Sequence, residues 1–298
     1  DMVEIAKEEK RVSTVSALAS LLATPLSKTT FDTTLRMDQH SVFGEKITGR
    51  MTASYQPSQS LLVKLGGGTG FRAPSLDEMY GQYNTNDPSY YKADANGDFT
   101  VVYGNSALEP ESSTSFDAGL YYNLDTLGTK LSASIFNIKV DKAISYDSGD
   151  PNDWYDGSYK QLGTKSQRQG IDLQVDFSLD GGSKLGLSYT GVTDEKGKNV
   201  NNIPKHIFNL AAVSKITEKV TLIGDLKVAR DLTGVLSDGS GSVNLKDYNL
   251  LNGKINYQIN DKNQVYLNAE NLLDEDYETA GGFSTSSRAF YVGYKTEF

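Results

Sequence analysis

Apolar and polar residues alternate along most of this chain. In residues 171–179 the odd positions are all apolar. The even positions of the same segment are Asp172, Gln174, Asp176 and Ser178. A period of two is the spacing of a β-strand whose two faces lie in unlike environments. The alternation returns at residues 185–189, 220–229, 251–259, 265–269 and 290–298.

This alternation predicts about thirteen strands. They are expected near residues 12–24, 28–39, 46–56, 59–70, 112–125, 128–146, 159–180, 183–195, 205–216, 219–232, 245–260, 263–275 and 288–298. Most of them exceed the roughly 9–11 residues that a tilted strand needs to cross a membrane. The predicted fold class is therefore all-β, an antiparallel transmembrane β-barrel.

Short connections between these strands alternate with long ones. The short ones are rich in turn-forming residues and lie near residues 24–28, 56–59, 125–128, 180–183, 216–219 and 260–263. The long ones lie near residues 71–111, 147–158, 196–204, 233–244 and 276–287. Outer-membrane barrels have this asymmetry, because their periplasmic turns are short and their extracellular loops are long. A soluble β-sandwich shows it only by chance.

The final strand ends in an aromatic residue. Its apolar stripe consists of Phe290, Val292, Tyr294, Thr296 and Phe298. Such an exposed stripe suits a lipid-facing surface better than a soluble protein. If Phe298 is periplasmic, the long loops are extracellular and residues 1–11 end an extracellular loop.

The predicted strand number is odd, whereas single-chain bacterial barrels have even numbers. We therefore expect residues 1–298 to form one domain that is the C-terminal part of a larger barrel. The chain would then begin within an exposed loop, where proteolytic nicking also concentrates.

Composition excludes several classes of protein. The net charge is −9 and no basic run is present, which argues against nucleic-acid binding. Because there is no Cys, disulfides and thiolate metal sites are excluded. No stretch approaches the roughly 18 apolar residues of a transmembrane helix.

Aromatic residues cluster in two of the predicted extracellular loops. The ligand-binding candidates are Tyr83, Tyr90, Tyr91, Trp154, Tyr155 and Tyr159. Aromatic groups with one polar end suit a large amphipathic ligand, and they also suit anchoring at a membrane interface. Charges expected to line a wet lumen are Asp172, Asp176, Asp225, Lys227 and Arg230.

One loop carries a weak candidate for a calcium site. Asp94, Asn96 and Asp98 have the spacing of oxygen ligands for Ca²⁺, but the glycine and distant glutamate of an EF-hand are missing. No other cofactor is expected.

His40 and His206 are the two histidines. Because no Gly-x-Ser-x-Gly elbow accompanies them, the chain is not expected to be an enzyme.

Two local motifs predict backbone geometry. Glycines at 66, 67, 68 and 70 permit close approach of another backbone. Ser75 and Glu78 have the spacing of a capping box and predict a short helix after the fourth strand.

Four segments in order carry a family resemblance. They are LRMDQHSVFG at 35–44, GTGFRAPSL at 68–76, GNSALEPE at 104–111 and NAENLLDEDY at 268–277. Together they resemble motifs of TonB-dependent outer-membrane transporters. Tyr291, Gly293 and Phe298 also resemble the C-terminal signal that the barrel assembly machinery reads, although Thr296 replaces a usually bulkier residue.

The resemblance implies a barrel of about 22 strands, closed by an N-terminal plug. It implies a Gram-negative cell outer membrane and active uptake of a large scarce nutrient. The implied partners are the plug and remaining barrel strands, the TonB complex through the plug, outer-membrane lipid and the assembly machinery. The plug is expected to lie outside this chain.

The substrate is less sharply indicated. Residues 274–288 resemble the close of vitamin B12 transporters, in which a DYET segment, a glycine-aromatic pair, a threonine and an arginine follow in order. Siderophore and haem receptors share parts of this ending. A corrinoid is favoured, and the alternatives are a ferric siderophore or haem receptor and a passive porin. An even strand number and no plug would favour the porin.

Overall fold

A computed structural model describes most of the chain. The described residues are 10–84, 100–125, 128–147, 157–163, 165–236 and 241–297. They form one antiparallel sheet of 13 strands and three separate two-stranded sheets. One short α-helix and a one-turn 3-10 helix, Asp180–Gly182, accompany them.

The strands of the large sheet follow one another in chain order. They are β1 (Thr14–Leu26), β2 (Thr29–His40), β3 (Gly44–Tyr55), β4 (Leu61–Arg72), β7 (Glu111–Leu124), β8 (Thr129–Asp141), β11 (Ser166–Ser178), β12 (Lys184–Thr193), β13 (His206–Lys215), β14 (Val220–Arg230), β17 (Tyr248–Asn260), β18 (Asn263–Glu270) and β19 (Ala289–Thr296). The remaining elements are α1 (Leu76–Tyr80), β5 (Gln82–Asn84), β6 (Thr100–Val102), β9 (Ile144–Asp147), β10 (Ser158–Gln161), β15 (Thr233–Val235) and β16 (Ser242–Asn244).

The predicted strands of the large sheet are confirmed, with differences at their ends. The strand expected near 128–146 ends at Asp141, because Lys142 adopts a left-handed conformation with φ of 56° that a strand cannot contain. The chain then forms the β9–β10 hairpin, so β11 begins only at Ser166. Hairpins β5–β6 and β15–β16 likewise occupy stretches predicted as loops.

One face of the sheet, which we call the apolar face, carries the aliphatic and aromatic side chains. Leu173, Tyr189 and Phe208 are register partners across β11, β12 and β13 and lie on it. In β19, Phe290 is 60% exposed and Val292 is 83% exposed, so the sheet does not bury this face within the described residues.

The opposite face, which we call the polar face, is joined by side-chain hydrogen bonds between strands. The Thr190 hydroxyl donates to Asp172 Oδ1 (2.7 Å). The Asn209 amide donates to the Ser188 hydroxyl (3.1 Å). A strand with one apolar and one hydrogen-bonded polar face is the arrangement of a barrel that separates lipid from a wet lumen.

The two ends of the sheet differ. Since neighbouring strands are antiparallel, the tight turns that follow β1, β3, β7, β11, β13 and β17 share one end, the turn end. The longer connections that follow β4, β8, β12, β14 and β18 share the other, the loop end. Within the described ranges, β1 and β19 each pair with a single neighbour. None of the described helices has the length and apolar character of a membrane span.

Candidate functional site

At the loop end, Arg72 joins three segments of the chain. Its Nε and Nη2 atoms donate to the two carboxylate oxygens of Glu111, at 2.8 and 2.9 Å. Its Nη1 atom donates to Glu78 Oε2 at 2.8 Å. Glu111 Oε1 also accepts a hydrogen bond from the Ile144 backbone amide (2.7 Å). The guanidinium therefore ties the end of β4 to α1 and, through Glu111, to β9.

The predicted capping box is confirmed at the start of α1. The Glu78 amide donates to the Ser75 hydroxyl (3.1 Å), and the Ser75 amide donates to Glu78 Oε2 (2.7 Å). Burial raises the pKa of Glu78, but hydrogen bonds from Arg72 and from the Ser75 backbone outweigh burial and leave the pKa below its ordinary value. Glu78 therefore serves both the helix cap and the ion pair as a carboxylate.

Three tyrosines meet beside this ion-paired group. The ring centroids of Tyr103 and Tyr159 are 6.2 Å apart, and those of Tyr146 and Tyr159 are 5.2 Å apart in an edge-on arrangement. The Tyr103 hydroxyl donates to Asp77 Oδ1 (2.6 Å). The Asn105 amide group donates to the Tyr159 carbonyl (3.0 Å). We call Tyr103, Tyr146 and Tyr159 the tyrosine cluster.

The tyrosine cluster presents neutral phenols. Burial, followed by the hydrogen bond to Asp77, raises the pKa of Tyr103 to about 12. Burial also raises the pKa of Tyr159. Tyr146 is 51% exposed, so one edge of the cluster remains open to a ligand. An aromatic surface with hydroxyl edges suits a large amphipathic molecule.

The polar face carries a further ion pair that depends on glycine. Arg50 of β3 and Asp117 of β7 form a salt bridge across β4. A Cβ atom at Gly66 would lie 2.6 Å from Arg50 Nη2 and 2.7 Å from Asp117 Oδ2. The sequence predicts close approach of another backbone at these glycines. This holds at Gly68, where an added Cβ atom would lie 2.9 Å from the Gly49 carbonyl oxygen, whereas at Gly66 the neighbour is the ion pair. Because Gly66 has no side chain, the ion pair can lie directly over the backbone of β4 on the polar face.

A cavity of about 650 Å³ opens on the polar face near the loop end. It is lined by Asp225, Leu250, Asn252, Asn268, Glu270, Asn271, Tyr277, Ser284, Thr285, Ser286 and Ser287. The strands β14, β17 and β18 form its wall, and the segment between β18 and β19 forms its rim. We call it the rim cavity.

Local hydrogen bonds hold the rim segment. Asn271, whose φ is 49°, accepts from the Glu275 amide through Oδ1 (2.8 Å) and donates to the Glu275 carbonyl through Nδ2 (2.9 Å). Asp274 Oδ1 accepts from the Arg288 amide (3.0 Å). The Tyr277 ring packs on Tyr248, with centroids 4.5 Å apart. These contacts indicate that the NAENLLDEDY motif at 268–277 shapes the segment between β18 and β19.

Of the predicted ligand-binding residues, Tyr159 lies in the tyrosine cluster and Tyr83 lies in β5. The predicted residues Tyr90, Tyr91, Trp154, Tyr155, Asp94, Asn96, Asp98 and Phe298 lie outside the described residues. Tyr291 and Gly293 lie in β19, where the Tyr266 ring covers Gly293. The assembly signal and the calcium site therefore stay predictions.

Two predictions from single residues need correction or refinement. Arg230 was expected in the lumen, but it is a register partner of His206 and lies on the apolar face. Its guanidinium donates to the Tyr248 carbonyl (3.1 Å), so strand-end hydrogen bonds satisfy it. His40 is 5% exposed, and its Nδ1 atom accepts from the Val42 amide (3.1 Å), which makes it a turn cap.

Several site residues were missed by sequence reasoning. Tyr103 directly precedes the GN motif at 104–105, which was the available signal. Tyr146 sits at the end of a predicted long strand, so it was assigned to the sheet. The rim cavity combines Asp225, Asn252 and residues of a distant loop, and no local pattern joins them.

The chain matches the family model described as TonB dependent receptor-like, beta-barrel, over residues 10–272. Among curated proteins, it is 26% identical over 294 residues to the vitamin B12 transporter BtuB of Vibrio cholerae, an alignment that covers 97% of this chain and 43% of the relative. It is 22% identical over 270 residues to the ferric enterobactin receptor of Pseudomonas aeruginosa, covering 83% of this chain and 35% of that relative.

Solved structures show the same fold. The siderophore receptor PirA from Acinetobacter baumannii superposes with a TM-score of 0.77 at 17% identity, over 99% of this chain and 47% of that chain. The chain thus spans less than half the length of the relatives and structures described here. Since the family model covers most of the chain, the chain belongs to the TonB dependent receptor-like, beta-barrel family of Gram-negative outer membranes.

Proposed function

We propose that the chain is the barrel part of a TonB-dependent transporter that takes up a corrinoid of the cobalamin type. The observation that carries this proposal is the alignment with vitamin B12 transporters, which spans nearly the whole chain. The second candidate is a ferric siderophore, because a ferric enterobactin receptor also aligns over most of the chain. The likeness to solved siderophore receptors concerns the fold and does not separate the two ligands.

The geometry supports a binding and transport role at the loop end. The tyrosine cluster offers an aromatic surface beside an ordered helix. The polar face offers hydrogen-bonding groups that suit a wet lumen. In the proposal, an N-terminal plug contacts this face and connects it to TonB, lipid covers the apolar face, and the barrel assembly machinery inserts the chain.

Uptake of radiolabelled cyanocobalamin tests the proposal. The complete product of the gene that encodes this chain is expressed in a Gram-negative host that lacks its own corrinoid receptor. We expect saturable uptake when TonB is functional and none when TonB is deleted. A ferric catecholate serves as the competing probe in the same cells.

Each other outcome points to a different function. Uptake of the ferric catecholate without uptake of cyanocobalamin would replace the corrinoid by the siderophore. Uptake that is the same with and without TonB would instead identify a passive porin.

A further inference from the structure

The apolar face carries charge at only one of its two ends. In the described strands of the large sheet, the basic side chains on this face are Lys139, His206 and Arg230, and all lie within three residues of the loop end. The acidic ones, Glu45 and Asp141, lie there as well. The turn end of the same strands has no charged side chain on this face and presents Tyr55, Tyr122, Tyr257 and Tyr294. Because charge is costly among lipid tails, this pattern places a headgroup layer at the loop end.

The Lys139 ammonium is a cation without a partner among the described residues. No hydrogen bond or ion pair of those residues includes it. Asp141, two residues further along the same strand, already pairs with Lys165, with Oδ1 and Nζ 3.0 Å apart. The register partners of Lys139 are Thr114 and Gln167, which are neutral. The ammonium therefore remains available to an anion in the headgroup layer.

A groove of about 430 Å³ lies on the apolar face beside Lys139, and we call it the outer groove. Its apolar lining includes Phe116, Ile135, Ile171 and Tyr189. Its lining on the side of the loop end is a polar register row of Asn137, Gln169 and Thr193. Lys139 lies in the next row of side chains on the same face, two residues after Asn137. The groove thus leads from an apolar floor to polar groups and then to a free cation.

Hydrogen bonds fix the polar end of the outer groove. Asn137 Nδ2 donates to Gln169 Oε1 (3.4 Å), and Gln169 Nε2 donates to the Asp194 carbonyl (3.2 Å). The Tyr189 hydroxyl and His206 Nδ1 lie 2.8 Å apart and share a hydrogen bond. Three strand spacings separate β8 from β13, so this polar end is about 15 Å wide. A headgroup that fills this width must be larger than a single glycerol phosphate.

We propose that the outer groove and Lys139 bind lipid A, a glycolipid with several acyl chains and a phosphorylated disaccharide headgroup. Its acyl chains lie against Ile135, Ile171 and Tyr189, the disaccharide contacts the polar row, and a phosphate pairs with Lys139. The loop end carries the longer connections, which are extracellular in outer-membrane barrels, so this end of the face lies in the outer leaflet. The inference rests on the outer-membrane location of the family and is independent of the transported ligand.

Two glycolipids that differ only in phosphate test the site. The probes are lipid A and the same glycolipid with its phosphates removed. Binding of each is measured by native mass spectrometry on the complete gene product in detergent, after the co-purified lipid has been removed. A basic side chain near an anionic headgroup contributes enough attraction for about a fivefold preference. We therefore expect wild type to bind lipid A about fivefold more tightly than its dephosphorylated form.

Variants of one strand then assign the preference to Lys139. Lys139→Gln should bring it to within about twofold, whereas Lys139→Arg keeps the charge and should retain the fivefold preference. Lys130→Gln is the matched control, because Lys130 lies in the same strand β8 but on the polar face near the turn end. It should leave the preference unchanged. Heat-modifiable migration on gels checks that every variant is folded.

Four results would overturn the inference. Equal binding of the two glycolipids by wild type would show that no phosphate is recognised. A fivefold preference that persists in Lys139→Gln would place the phosphate elsewhere. An equal loss of preference in Lys130→Gln would reduce the effect to net charge. Displacement of lipid A by an equal concentration of phosphatidylglycerol would show a site for any anionic lipid. Each of these results leaves the proposed corrinoid uptake standing.

Discussion

Arg72 is expected to hold the ordered part of the loop end in place. The change to examine is Arg72→Gln, which removes the charge and keeps most of the side-chain length. Its guanidinium donates to Glu78 and Glu111, whose side chains are 14% and 16% exposed. Without Arg72, these two carboxylates would remain largely shielded from water without their counter-charge, so local opening becomes favourable.

The magnitude follows from exposure. Removing one partner of a fully buried charge pair costs about 3–5 kcal/mol. The Arg72 side chain is 46% exposed, so water screens the pair and the expected cost is lower, at about 2 kcal/mol. Since 1.4 kcal/mol corresponds to a factor of ten, local opening should become about thirtyfold more frequent. The strands of the sheet should keep their protection.

Amide hydrogen exchange, read by mass spectrometry on the membrane-inserted protein, measures this opening. The informative amides are those of Glu78 and Ile144, because the first caps α1 and the second donates to Glu111. Arg50→Gln is the control, since Arg50 is as exposed as Arg72, at 48%, and forms an ion pair away from the loops with a more exposed carboxylate. Exchange within about threefold of wild type in Arg72→Gln would refute the reasoning. Equal acceleration in both variants would indicate a change in the whole barrel instead.

Three further predictions concern the loop end and the two faces. The pKa of Glu78 lies below its ordinary value, so its stabilising effect is present above the unfolded carboxyl pKa and is lost as the pH falls through the folded pKa. Exchange of α1 should therefore accelerate below about pH 4, and Glu78→Gln should remove that pH dependence. Tyr103→Phe removes the donor to Asp77 and should destabilise the β5–β6 region by about 1 kcal/mol, seen as faster exchange there. Val292→Arg places a charge on the apolar face and should cost about 2–4 kcal/mol of folding free energy in lipid. Tyr291→Arg, on the polar face, should cost much less. Equal costs of the two substitutions in urea titrations would contradict the assignment of faces.

The sheet was predictable because its signal is local. A period of two repeats within each strand, and turn residues mark the strand ends. The capping box of Ser75 and Glu78 is local as well, and the structure confirms it. The left-handed Lys142 gives no such signal, since a lysine carries no preference for positive φ. The prediction therefore ran β8 through the β9 segment.

The candidate site was less predictable because it depends on register. Asp225 and Asn252 meet only when β14 and β17 pair with one particular offset. A shift of one residue would turn either side chain to the opposite face. The expectation for Arg230 was wrong for a simpler reason. Arg230 lies three residues from Lys227 in the unbroken strand β14, and an odd separation places two side chains on opposite faces of a strand.

The barrel fold and the choice of ligand depend on different features of the sequence. Barrel geometry needs only alternating faces, tight turns and closed hydrogen bonding, so chains at 17% identity superpose with a TM-score of 0.77. Ligand choice needs particular charges at particular register positions, which that likeness leaves open. Substitutions of loop-end residues that leave the sheet intact, rather than changes in the shape of the barrel, are therefore expected to separate the two candidate ligands.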